Sequence, residues 1–258
     1  WSPDAPEEGE WLLRGYKASG MLDYEVDSSS SAYGAALLSQ NGVSSPVEIE
    51  SRAWFNPNLI TRWFIVPGLI AVLVLINSIL SGALSIARER DEGTFDQLLV
   101  APYTPGEILL GKGTASVITG IIQAVFVVLV AMFWFRIPFQ GSIWLLSAAL
   151  LLFIVTAAAI GLCISSFAQS LQQAIVGTFL LLVPMVMLSG FATPISSMPE
   201  IFQSLTLLNP MRYGLELIQR IFLEGAGFLD LWPLFAAIMA VTVVAVLAAV
   251  FSFHHKIS

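Results

Sequence analysis

The sequence predicts an all-α protein that crosses a membrane several times. Three observations carry that prediction. Hydrophobic residues make up 57% of the 258 positions and charged residues only 11%, where soluble domains carry about 25% charged. Trp63 to Ala87 and Gly113 to Phe135 hold no Asp, Glu, Lys or Arg, and none occurs between Arg136 and Glu200. Each run matches or exceeds the roughly 20 residues that span a bilayer's hydrocarbon core.

Residues 1–62 stand apart from this pattern. Nine of the 18 acidic residues fall in the first 50 positions, against only Arg14 and Lys17. LLRGY (Leu12 to Tyr16) and VEIES (Val47 to Ser51) read as strands, and Ser31 to Gln40 as a helix. That makes a short segment of mixed α/β character, too small and polar to fold well alone.

From residue 63 onward five spans follow. The first is 64–87, with Asn77, Ser78, Ser81 and Gly82 as its polar and small members. The second is 113–135, carrying Thr119 and Gln123. Arg136 and Pro138 mark a tight turn, and Gly141-Ser142 opens the third span, 143–164. Ser165 to Gln173 reads as an uncharged polar loop before a fourth span, 174–191, that Pro184 should kink. In 193–230, Ser197 and Glu200 form a capping box, Asn209 caps a helix beginning with Pro210, and Gly225 ends it. The last span is 231–253, followed by HHKIS.

The stretch between the first two spans is the most informative: RERDEGTFDQLLVAPYTPGEILLGK, Arg88 to Lys112. Thr94 and Gln97 form a capping box for a short helix after Gly93, which Pro102 stops. Thr104 then caps a second helix, with Pro105 first and Glu107 third, that can run on into the next span. The short helix, 94–101, has Phe95, Leu98 and Leu99 at helical spacing. Such a face can float among headgroups or fit a groove on a soluble partner, and physics alone leaves both open.

This segment resembles the cytoplasmic coupling segment of type-2 ABC exporter permeases: an acidic residue, a free position, Gly-Thr, a Leu-rich helix, Pro and a capped second helix. RAWFNPN (Arg52 to Asn58) resembles that family's lead-in from its extracytoplasmic domain, and NPMRYGLELIQRIFLEG (Asn209 to Gly225) its external helix. The resemblance covers about residues 52–258. It implies six spanning helices in the full chain, with one helix and much of an extracytoplasmic domain ahead of this sequence. Residues 1–62 are then part of that domain, 63–258 the transmembrane domain, and 197–225 an external hairpin dipping into the outer leaflet.

It also implies a function. The chain would be the permease subunit of an exporter for a drug-like or amphipathic substrate in a bacterial inner membrane. A cytoplasmic ATPase subunit, holding ATP and magnesium, would push on the coupling helix. A second permease chain, identical or paralogous, would face the first, and a periplasmic adaptor could complete the assembly. The coupling contact falls on Glu92, Gly93, Thr94, Phe95, Leu98 and Leu99.

The remaining chemistry points the same way. GEILLGK (Gly106 to Lys112) mimics a phosphate-binding loop, but Gly113 stands where Ser or Thr is needed and Pro105 starts a helix. His254 and His255 are neighbours that cannot converge on a metal. Cys163 has no second cysteine to pair with. The acidic balance disfavours nucleic acid. No span carries the ionisable residue expected of an ion-coupled antiporter, and a passive scaffold would not need a doubly capped loop. Asn77, Ser81 and Gln123 either bond helix to helix or line a substrate path. The positive-inside rule gives no orientation. With 88–112 inside, Arg88, Arg90, Lys112 and Lys256 face Arg52, Arg62, Arg136, Arg212 and Arg220 on the other side.

Overall fold

The computed structural model describes residues 61–95, 102–193 and 195–257. The strands and helix expected within 1–62, and most of the helix expected at 94–101, lie outside these residues. From Ile60 on, the chain forms one unit. Its long helices are α1 (Thr61–Asp91), α2 (Pro105–Phe133), α3 (Ile143–Phe167), α4 (Leu171–Met187) and α7 (Phe228–Ile257). Two shorter ones, α5 (Glu200–Leu205) and α6 (Pro210–Gln219), lie between α4 and α7. No strand occurs among the described residues. In lipid every backbone N–H and C=O must be satisfied within the segment, which is why apolar runs of this length become helices.

Four of these helices are long and apolar enough to cross a membrane: α1, α2, α3 and α7. α4 has 17 residues, about 26 Å at 1.5 Å per residue, and is shorter than a typical span. Pro184 lies in its last turn. The chain alternates between two ends. One holds Asp91, Pro105, Phe167, Leu171 and Ile257; the other holds Phe133, Ile143, Met187 and the α5–α6 hairpin.

α1 and α3 form the centre, and α2, α4, α6 and α7 pack around them. Their crossing is unusually close because both helices put glycine there. A Cβ on Gly161 would stand 2.2 Å from the Ile79 carbonyl oxygen, and one on Gly82 2.6 Å from that of Ala158. Small residues let membrane helices approach and gain dispersion contact where no hydrophobic force separates protein from lipid. Farther along, the Thr156 and Thr242 hydroxyls meet at 2.5 Å and tie α3 to α7.

α6 is wedged into the bundle, with Met211, Tyr213, Leu215, Leu217 and Ile218 buried. Gly214 is pressed on the Phe153 ring, about 15 Å along α3 from Ile143. Asn209 caps α6, its side chain accepting from Met211 N at 3.0 Å, with Pro210 in the first turn. A π-helical turn, Arg220–Glu224, carries the chain to Gly225 at φ 64°, where it ends as expected.

Two expectations need correction. Ser165 to Gln173 is not one loop: α3 runs through Phe167 with Ser165 and Ser166 buried, and α4 starts at Leu171. Buried hydroxyls are not loop residues here, because Ser166 donates to the Leu162 carbonyl and stays in the helix. Ser197 does not cap the following helix. It ends a 3-10 turn, and α5 begins after Pro199 with no side-chain cap. As expected, the helix of the second span already starts at Pro105, and that of the first runs past its apolar stretch to Asp91.

Candidate coupling site

The charged stretch between α1 and α2 sits at one end of the bundle, and both of its flanks are built from backbone logic. α1 ends in a Schellman motif. Thr94 N donates to the Glu89 carbonyl at 3.0 Å and Gly93 N to that of Arg90 at 3.2 Å. Gly93 takes φ 72°, the left-handed conformation that such an ending needs and that glycine adopts without penalty. A Cβ there would meet nothing within 4 Å, so the glycine is required by its dihedral and not by space. Thr94 adds a side-chain bond to the Glu89 carbonyl at 3.3 Å, and Phe95 resumes helical structure.

On the far flank, α2 opens with the expected capping box. Thr104 Oγ1 accepts from Glu107 N at 3.4 Å, and Thr104 N donates to Glu107 Oε2 at 2.7 Å. Pro105 stands at the first helical position.

The two flanks are then tied together. Lys112 pairs with Glu89 Oε1, joining the second turn of α2 to the end of α1. Glu89 Oε2 is buried with no partner among the described residues. Arg90 reaches sideways: its Nη1 donates to the Ser166 carbonyl at 3.1 Å and the Ala168 carbonyl at 2.6 Å. These carbonyls close α3 and carry the negative end of its dipole. The same guanidinium lies 4.7 Å from the centre of the Phe95 ring. That half-buried ring also packs against the buried cluster formed by Ile86, Ile108, Leu109, Leu162, Ala249 and Phe253.

Of the sequence-derived contact residues, Glu92, Gly93 and Thr94 are therefore exposed at the tip of α1. Phe95 is turned toward its own helices. Leu98 and Leu99 lie outside the described residues. Arg90, Glu89 and Lys112 were not singled out from the sequence, although charged residues at a helix C-terminus opposite another helix end were a visible signal.

The family model described as ABC-2 type transporter matches residues 31–223, well over half of the 258 positions. The chain belongs to the ABC-2 type transporter family. This agrees with the resemblance read from the three motifs. The chain is 35% identical over 225 residues to the "Probable multidrug ABC transporter permease YbhR" of Escherichia coli, covering 87% of this chain and 61% of that one. It is 36% identical over 201 residues to the E. coli "Inner membrane transport permease YhhJ", covering 76% and 52%. A match of 22% identity extends to "ABC transporter G family member 20" of Dictyostelium discoideum, over 78% of this chain and 28% of that protein. The chain thus spans between half and two thirds of the length of the two bacterial relatives.

As an ABC-2 transporter chain it is a multi-pass membrane protein, and its polar residues within the spans can be placed. Ser81 and Thr119 hydroxyls meet at 3.2 Å, and Gln123 Nε2 donates to the Leu73 carbonyl at 3.2 Å. Both contacts bridge α1 and α2. Asn77, the third candidate for lining a path, is half-buried on α1. Ser78 Oγ and Gln123 Oε1 are buried without a partner among the described residues. The α1–α2 seam thus carries two interhelical polar contacts, beside the Thr156–Thr242 pair between α3 and α7.

Proposed function

We propose that this chain is the permease subunit of an ATP-driven exporter that moves a drug-like or amphipathic compound out across a bacterial inner membrane. The energy comes from a separate cytoplasmic ATPase that holds ATP and magnesium, and a second permease chain completes the path. The observation that carries this reading is the segment joining α1 to α2. It leaves the bundle through a Schellman ending and returns through a capping box, and an ion pair and an arginine cap hold its base. A floating headgroup helix needs no such anchoring. A lever that takes a push does.

In this reading Glu92, Gly93 and Thr94 face the ATPase, and Leu98 and Leu99 complete the contact. Phe95 seats the segment on the permease. Asn77, Ser81 and Gln123 lie along the path. The name of the YbhR relative, a multidrug permease, supports a drug-like substrate. The uncharged spans favour a partner-driven subunit over an ion-coupled antiporter.

The test is co-expression of the full-length permease with its ATPase. The pair should purify as one complex that hydrolyses ATP, whereas the permease alone should not. An active permease that drives efflux across vesicles from a proton gradient, with no ATPase present, would overturn the proposal.

A further inference from the structure

A push on the segment matters only if it reaches the helices that line the membrane interior. The segment's own covalent links run to α1 and α2. α3, at the centre of the bundle, is reached through Arg90. Its guanidinium donates to two carbonyls in the closing turn of α3 and lies over the Phe95 ring at the start of the segment. The neighbouring bonds stiffen this junction. Ser165 Oγ of α3 accepts from the backbone N–H groups of both Ile86 and Ala87 on α1, at 3.0 Å each. Farther in, the two helices approach closely at the Gly82–Gly161 crossing.

We infer that Arg90 is the transmission residue of this permease: a positioning residue whose planar side chain couples movement of Phe95, just past the end of α1, to the end of α3. This rests on the coupling role proposed above. Planarity is what suits arginine to the task. One face stacks on the ring while the edge donates to the carbonyls. A lysine ammonium keeps the charge but cannot do both in fixed geometry.

The test uses the full-length permease assembled with its ATPase, in a Cys163→Ser background. Single cysteines replace Tyr103, exposed on the segment's far flank, and Gln169, exposed just past α3. Thiol-labelling rates are compared without nucleotide and with ATP plus vanadate. With Arg90 present, trapping should change the rate several-fold at both positions. In Arg90→Ala the change at position 103 should persist and that at 169 should vanish, and Arg90→Lys should show a reduced response at 169. A purely structural role would weaken both sites together. An undiminished response at 169 in Arg90→Ala would overturn the inference. Absence of any response at either site with Arg90 present would overturn the coupling role beneath it. Should Arg90→Ala fail to assemble, Arg90→Lys decides: a full response at 169 contradicts the inference.

Discussion

Gly93 and Phe95 carry the tightest claims at the level of single residues. Gly93 holds φ 72° with open space around it, so Gly93→Ala introduces a conformational penalty and no clash. A left-handed alanine costs about 1 kcal/mol, roughly a fivefold change in an equilibrium. We expect Gly93→Ala to lower ATPase retention about fivefold at unchanged membrane insertion, with Gly93→Asn milder because Asn tolerates that region. Equal retention in Gly93→Ala and the parent would show that the turn has no part in docking. The resemblance put Phe95 in the coupling contact with a partner, while its spacing left both surfaces open, since an apolar stripe does not say which surface covers it. Its ring packs against the buried cluster that includes Ile86, Leu109 and Phe253, with Arg90 over it. Phe95→Leu keeps that apolar packing and should retain the partner nearly as well as the parent. Phe95→Ala should loosen the segment and reduce retention. A groove specific for an aromatic ring would make Leu as damaging as Ala.

Among the described helices, the α1–α3 crossing should be one of the least tolerant places. Gly161→Ala sets a Cβ 2.2 Å from a backbone oxygen, which only a shift of the helices can relieve. Overpacking of this kind costs about 1–3 kcal/mol. Gly111→Ala on α2 meets nothing within 4 Å and removes a helix-interior glycine, worth roughly 0.5–1 kcal/mol in favour of the variant. Thermal unfolding in detergent should therefore fall for the first and hold or rise for the second; the opposite order would contradict the packing described. The sequence was readable where one residue type has one structural use. Thr104-Pro-Gly-Glu107 and Asn209-Pro210 capped helices as expected. It misled where a polar residue has two. Ser165 and Ser166 looked like loop but bond within and between helices. Ser170 and Gln173 were a start signal for α4, with Ser170 Oγ accepting from Gln173 N at 3.3 Å, yet were absorbed into that loop. Gly93 was legible as a break, but its role as the end of α1 needed the dihedral. Arg90 was not legible, because its partners are carbonyls about 76–78 positions away in the chain.

For the molecule as a whole, the proposed function turns on dependence on a partner for energy. Lys112 completes a phosphate-loop-like string but spends its charge on Glu89. Lys112→Ala should leave nucleotide binding by the assembled complex unchanged while loosening the α1–α2 junction; loss of nucleotide binding in an intact complex would restore a role for that string. Orientation follows from the same account. On the proposed reading the end bearing Tyr103 faces the cytoplasm, and the end bearing the exposed Trp134, Trp144 and Trp232 is the outer of the two interfaces at which aromatic residues settle. An impermeant thiol reagent on intact cells should label Ser142→Cys and spare Tyr103→Cys in a Cys163→Ser background. The central claim, that the tip of α1 is where an ATPase acts, is tested most directly by a photo-crosslinking residue at Thr94 in the full-length permease co-expressed with its ATPase. The account predicts a crosslink to the ATPase whose yield changes when ATP and vanadate trap the complex. Crosslinks to lipid alone, at the same yield with and without nucleotide, would contradict it.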